Sequence, residues 1–240
     1  MTPPRSAPLA GRLVIMAKLP QAGRAKTRLG RQLGYGRAAW IYRHNLELLL
    51  QRVAAPSANP RWSTVLAVTP DAAVSSTYFR QLARRFEVRV TGQGDGDLGA
   101  RMVRLLTNAT RPTPMQSPAR KAVLIGSDIP GVSRIALQEA FTDLNRAQHV
   151  FGPARDGGFW LVGSTMPSAL VAGFTDVRWS QSSTLDQVIG NLTAQSPGMN
   201  ASRVAYARML SDIDEPADLT SPDVAGAVGR LVPRKSREIT

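Results

Sequence analysis

Short apolar runs alternate along the chain with longer segments of helical periodicity. Residues 12–17 (RLVIMA), 63–69 (STVLAVT) and 122–125 (AVLI) are near-continuous apolar runs, the pattern of strands buried on both faces. Residues 34–53 carry the longest helical pattern, with Ala38, Ile41, Leu46, Leu49, Leu50 and Val53 recurring near helical spacing. Further helices are predicted over 78–86, from Asp97 or Leu98 onward, over 133–147 and over 185–192; further strands are predicted over 87–91, 159–162 and 204–209. This alternation predicts an α/β fold with a mainly parallel central sheet and helices on both sides.

The chain is organised around residues 121–131, KAVLIGSDIPG. Its buried strand stops at Gly126, so Asp128 falls at a strand's carboxyl end, the edge where open α/β sheets bind ligands. The same position also suits a residue that caps the helix opening near Ser133 or orders the turn.

Three loops carry further candidate chemistry. After the first strand, residues 18–30 (KLPQAGRAKTRLG) combine breakers at Pro20 and Gly23 with the cations Lys18, Arg24, Lys26 and Arg28. A strand, a basic glycine-containing loop and a long helix make the layout of a phosphate-binding βα unit, although neither the Walker pattern nor GxGxxG is present. Residues 92–99 (GQGDGDLG), ending at Gly99, place four glycines in eight positions, as a loop whose backbone approaches a ligand does; a plain flexible connection has the same composition. The Asp156-Gly157-Gly158 tip has the form of a hairpin turn followed by Phe159 and Trp160, an apolar wall beside a carboxylate, and it suits a purely structural turn as well. Further on, Trp179 either joins the core or covers a ligand, and Ser180, Ser182 or Ser183 is placed to cap the next helix.

Composition narrows the chemistry. The 240 residues contain no cysteine, which excludes disulfides, zinc-thiolate sites and thiol nucleophiles. His44 and His149 are the only histidines and read as helix-surface or strand-edge residues. Any metal must therefore be held by oxygen ligands, which points to Mg2+ or Mn2+. The net charge of +13 is spread along the chain without a dense basic stripe, so a small polyanion is a better partner than nucleic acid. Lysines are scarce (Lys18, Lys26, Lys121 and Lys235), and two of the four fall in the first basic loop, where a compact ammonium suits phosphate. No apolar stretch of membrane-spanning length occurs, which predicts a soluble, cytoplasmic protein. Residues 1–10 read as a disordered lead-in, 11–229 as one domain and 230–240 as a basic mobile tail.

Taken together, KLPQAGRAKTRLG, IGSDIPG, GPARDGGFWLVG with the later WSQSST, and DIDEPADL resemble the bacterial DUF2064 family, also called the transferase 1 group associated with radical-SAM/selenodomain proteins. The resemblance spans residues 13–219 and implies the GT-A nucleotide-diphospho-sugar transferase fold, a Rossmann-like three-layer α/β/α domain. More distantly, AKTRLG and DIDEPADL resemble segments of guanylyltransferases and sugar-acid cytidylyltransferases. The resemblance implies that Asp128 and Asp214 hold a divalent cation on the nucleotide phosphates. It implies that Lys26 and Arg28, with Lys18, Gly23 and Gly99, bind the nucleotide, Lys26 also acting in catalysis. Asp156 becomes the carboxylate that holds a sugar hydroxyl or serves as base, with Gly157, Gly158, Trp179 and Ser180 on the substrate side. The implied activity is metal-dependent glycosyl transfer from a nucleotide-sugar to a small-molecule acceptor. Two alternatives are nucleotidyl transfer to a small phosphorylated acid or sugar, and noncatalytic nucleotide-sugar binding. The replacement of a twin-glycine G-T-R loop by QAGRAKTRLG counts against nucleotidyl transfer.

Overall fold

The structure, a computed structural model, describes residues 11–54, 61–111, 121–194, 203–213 and 218. The predicted lead-in, the basic tail and Asp214 lie outside the described residues. The three apolar runs form adjacent parallel strands: β1 (Gly11–Lys18), flanked by β2 (Trp62–Thr69) and, after β3 (Arg89–Gly92) has extended the sheet beyond β2, by β4 (Ala122–Gly126). With β5 (His149–Pro153), β6 (Phe159–Ser164) and β7 (Val204–Tyr206) they make one seven-stranded sheet in the order β3-β2-β1-β4-β6-β5-β7. Among the described residues β6 alone runs antiparallel to its neighbours. The chain winds outward from β1 to β3 and then returns to β4 on the other side of β1. Connections therefore leave the carboxyl ends of β1 and β4 in opposite directions, and the crevice between them is the switch point at which such sheets bind ligands.

Both faces of the sheet are covered, which is why the central strands carry apolar residues towards both. Helices α2 (Tyr35–Val53), α3 (Thr77–Phe86) and α5 (Arg134–Asp143) bury Leu46, Leu50, Phe79, Phe86 and Phe141 against Leu13, Ile15 and Ile125. On the other face α4 (Leu98–Thr110), α6 (Leu170–Phe174) and α7 (Thr184–Ala194) pack Leu106, Phe174 and Leu192 against Val14, Leu124 and Val162. Successive residues Leu13, Val14 and Ile15 thus serve alternate faces, as the two-residue strand period requires. Short polar side chains start the helices where the sequence placed them. The Ser76 hydroxyl accepts from Phe79 N–H at 3.3 Å, Asp97 from Ala100 at 2.8 Å and Ser133 from Ala136 at 3.1 Å. Ser133, not Asp128, caps α5.

Several boundaries differ from expectation. The basic segment folds into a helix, α1 (Thr27–Leu33), so Arg28 stands on a helical turn; Leu29 anchors it against Ala38, Ile41 and Ile213. The third strand begins at Arg89 because Glu87, at φ 52, closes α3 in the left-handed region. Helix α5 ends at Asp143, and β7 ends at Tyr206 before a single bridge between Ala154 and Leu210. Among the described residues no helix is long and apolar enough to cross a membrane.

His149 is a buried residue and not a strand-edge one, since β7 adds outside β5 and seals it at 0% exposure. Its Nδ1 lies 3.1 Å from the Ser164 hydroxyl, and Nε2 has no partner among the described residues. Burial lowers its pKa from 6.5 to about 4. Between these values the unfolded chain takes up a proton that the folded chain refuses, so stability is full above 6.5 and falls as pH drops towards 4. The loss should reach about 2 kcal/mol near pH 5 relative to neutrality. Urea unfolding at both pH values checks this, and His149→Gln should flatten the dependence.

Candidate functional site

Asp128 sits where the switch-point crevice opens, and α2 fixes its turn from below. Asn45 Nδ2 donates to the Ser127 carbonyl at 2.8 Å, and Tyr42 Oη shares a 2.7 Å hydrogen bond with the Ser127 hydroxyl while accepting from Lys18 N–H at 2.8 Å. One buried phenol thereby ties the carboxyl ends of β1 and β4 together across the switch point. Its pKa is pushed up to about 12, chiefly by burial, so it stays a neutral hydroxyl. The absence of a side chain at Gly126 lets the Asp128 carboxylate lie close above the strand end, where a Cβ would meet Oδ1 at 3.0 Å. Tyr42→Phe should leave buried partners unsatisfied and cost about 1–3 kcal/mol in denaturant unfolding.

Lys26 reaches the same point from the loop after β1. Its Nζ lies 2.8 Å from Asp128 Oδ2 in a partly buried ion pair, and its backbone is left-handed at φ 50, ψ 53. Left-handed backbone is costly for a residue with a side chain and is concentrated at functional sites. Burial alone would raise the Asp128 pKa, but Lys26, the residue's own backbone N–H and the more distant Lys18 outweigh it and hold the carboxyl below its usual range. Lys18, Arg24 and Arg28 border the same cleft, which encloses about 650 Å3. Gly23 does not line it; at φ 78 it forms the turn that carries the cations round.

The glycine-rich segment is more ordered than its composition implies. The Asp71 carboxylate accepts from the N–H groups of Gln93 and Gly94 at 2.9 and 3.1 Å, and Arg104 donates to the carbonyls of Gln93 and Asp95 at 3.0 and 2.6 Å. Gly99 faces Trp179 and Phe174, where a Cβ would come within 2.9 Å of each, so it serves packing and does not line the cleft. Gln93, Leu98 and Arg101 line the cleft on this side. The Gln93 amide is itself committed to the carbonyls of Ala17 and Ala67 at 3.2 and 3.0 Å, bracing the ends of β1 and β2.

Across the crevice, two motifs distant in sequence form one rim. Gly157, at φ 83, packs under the Ser182 carbonyl, and its own carbonyl accepts from Leu185 N–H at 3.0 Å. Asp156 and Gly158 border the cleft; Asp156 Oδ1 accepts from Gly158 N–H at 3.0 Å and so orders the turn as well. Trp179 belongs both to the packing of the second core and to the cleft lining. It packs edge-on to Phe174 and Phe159 at 5.6 and 6.3 Å and also lines the cleft beside Ser180, whose φ of 61 is left-handed. The aromatic wall is chiefly Phe159 with Trp179. Trp160 touches the cleft but is only 3% exposed, its Nε1 donating to the Arg208 carbonyl at 3.0 Å.

Asp212 also lines the cleft, and the next residue, Ile213, donates its N–H to the Asp128 carbonyl at 3.3 Å. Among the described residues no three carboxylate or imidazole groups gather as a metal cluster. Mg2+ or Mn2+ does not need one, because one or two carboxylates suffice when phosphates and water complete the shell. An all-oxygen donor set with Asp128 at the open end of a strand fits such an ion. Sequence reasoning missed the polar pair Tyr42 and Asn45, and of the two carboxylates before Pro216, Asp212 and Asp214, it assigns only Asp214 to the site. The signal for the pair was two polar residues on the apolar stripe of α2, and Asp212 stood two positions from the carboxylate that was selected.

Several proteins of known structure share this architecture. A protein from Desulfovibrio desulfuricans G20, provisionally described as a nucleotide-diphospho-sugar transferase, superposes with a TM-score of 0.72 at 22% identity, over 93% of this chain and 96% of that one. The 4-diphosphocytidyl-2C-methyl-D-erythritol synthase of Anaerococcus prevotii DSM 20548 gives a TM-score of 0.51 at 9% identity, over 92% of this chain and 96% of that one. Glucosyl-3-phosphoglycerate synthase of Mycobacterium tuberculosis, solved with Mn2+, UDP-glucose and glycerol 3-phosphate, gives 0.51 at 11% identity, over 94% of this chain and 82% of that one. At such identities the likeness is one of fold, and the fold is the three-layer α/β/α GT-A type. No curated protein matches the chain in sequence. The family model DUF2064, described as an uncharacterized protein conserved in bacteria, matches residues 52–181. That span, more than half of the chain, contains the Asp128 turn, the Asp156 turn and Trp179, and the chain belongs to the DUF2064 family.

Proposed function

We propose that this chain is a transferase that moves a glycosyl group from a nucleotide-sugar to a small-molecule acceptor with Mg2+ or Mn2+. The observation that carries the reading is the meeting, around one cleft at the switch point, of the cations after β1, the Asp128 carboxylate and the Asp156 rim. In the reaction the bond from the anomeric carbon to the β-phosphate oxygen breaks, the acceptor oxygen bonds to that carbon, and the acceptor proton passes to Asp156. Charge grows on the departing diphosphate, so Lys26 and Arg28 stabilise the transition state more than the ground state. Asp128, with Asp212 or Asp214, would hold a divalent cation, which when bound supplies further positive charge to that leaving group. The wall of Phe159 and Trp179 excludes water and offers a flat face to a sugar ring.

A second reading, nucleotidyl transfer with release of pyrophosphate, draws support from the number of cations. Lys18, Arg24, Lys26, Arg28 and Arg101 all border the cleft, more positive charge than a metal-bound diphosphate requires. Products separate the readings. Incubation with nucleotide-sugars, Mn2+ and a panel of acceptors should release a nucleoside diphosphate. Release of pyrophosphate from nucleoside triphosphates would favour the second reading, and tight binding without turnover would leave a binding protein.

A further inference from the structure

The Lys26–Asp128 pair occupies atoms that both ligands of the proposed reaction require. A diphosphate needs the ammonium, and a divalent cation needs the carboxylate. The two partners are held differently. Asp128 lies on a turn fixed by Asn45, by Tyr42 through Ser127, and by Ile213 N–H at the Asp128 carbonyl. Lys26 arrives on a four-carbon stem whose torsions let the ammonium swing away while the backbone stays in place. Its side chain is 9% exposed and that of Asp128 36%, and both border the cleft.

We propose that Lys26 is an internal counter-ion that fills the cation position beside Asp128 in the free protein and gives it up only when a phosphate is there to receive it, so that divalent cation and nucleotide diphosphate bind as a coupled pair. This rests on the reading of Asp128 as the cation's ligand. The ammonium, 2.8 Å from Oδ2, occupies one of the two carboxylate oxygens that an incoming ion could use, and it repels that ion by like charge. Phosphate oxygens offer the ammonium charge-assisted hydrogen bonds at least as good as those it leaves. The exchange also keeps the carboxylate neutralised at each stage, which matters where an uncompensated, partly buried charge is costly. Coupling of this kind is reciprocal, so the cation should tighten diphosphate binding by the same factor as the diphosphate tightens the cation.

The test measures Mn2+ binding by electron paramagnetic resonance, first with the metal alone and then with uridine diphosphate as the probe, after allowing for Mn2+ complexed by the diphosphate in solution. Wild type should bind Mn2+ weakly alone and about tenfold or more tightly with the diphosphate, within the usual range of coupling between sites. Lys26→Met should bind Mn2+ alone about tenfold more tightly than wild type and lose most of the enhancement, whereas Lys26→Arg, which keeps the charge, should behave as wild type. Lys26→Gln replaces the apolar variant if that one fails to fold, as judged by circular dichroism. If Lys26→Met binds Mn2+ alone no better than wild type while Asp128→Asn abolishes binding, the counter-ion role is overturned and the cation site stands. If Asp128→Asn binds Mn2+ like wild type, the cation site itself is misplaced and the underlying reading fails with it.

Discussion

Asp128→Asn should remove metal-dependent nucleotide binding and lower turnover by a factor on the order of a hundred to a thousand, the usual loss when one preorganised electrostatic group is deleted. Asparagine keeps the shape of the side chain and loses its charge, so the turn held by Asn45 and Ile213 should survive. The change also removes the carboxylate charge 2.8 Å from Lys26. Nucleotide binding without metal should therefore be unchanged or slightly tighter, while the gain on adding Mn2+ disappears. Calorimetric titration of a nucleoside diphosphate with and without Mn2+ checks both signs. A variant that keeps the full metal-dependent gain would remove Asp128 from the site.

Asp156→Asn should have the opposite signature. Asp156 sits on the far rim, in a turn tied to α7 through the Gly157 carbonyl, and it lies next to the aromatic wall and not in the cationic loop. Nucleotide affinity should stay within about twofold of wild type while turnover falls about a hundredfold or more, as expected when a general base is deleted. The turn offers an internal control. Asp156 Oδ1 accepts from Gly158 N–H, and an asparagine oxygen can accept the same bond, so the melting temperature should hardly move. Loss of stability and nucleotide binding together would mark Asp156 as only a turn residue, and normal turnover in a stable variant would exclude it from catalysis.

Much of the fold was legible because its signals are local. Leu13 to Ile15 and Val123 to Ile125 are apolar at every position because helices cover both faces, and Ser76, Asp97 and Ser133 announce their helices by hydrogen bonds that span three residues. Strand order was not legible. Nothing near β6 in sequence says that it inserts antiparallel between β4 and β5, and that insertion brings the Asp156 turn to the rim of the β4 crevice. His149 was misplaced for a related reason, since its strand is flanked on both sides, by β6 and by the late strand β7. Within the site, charged residues on loops stood out, while residues acting through buried hydrogen bonds did not. Tyr42 and Asn45 occupy helix positions that periodicity assigns to core, and only the structure shows their polar atoms meeting Ser127. Gly99 illustrates the converse, because a glycine in a ligand-like loop turns out to admit Trp179.

On the function proposed above, the switch-point cleft binds a nucleoside diphosphate together with a divalent cation at Asp128. Thermal denaturation of wild type and Asp128→Asn with a panel of nucleotides and nucleotide-sugars, each with and without Mn2+, tests it most directly, since a ligand that binds only the folded state raises its melting temperature. At a free ligand concentration about a hundredfold above Kd the stabilisation should be about 2.7 kcal/mol, enough to shift melting by several degrees. At least one nucleotide diphosphate should shift wild type more with Mn2+ than without, and Asp128→Asn should show no such difference. Equal Mn2+-dependent shifts in the two proteins, or no shift of wild type with any nucleotide, would contradict the claim.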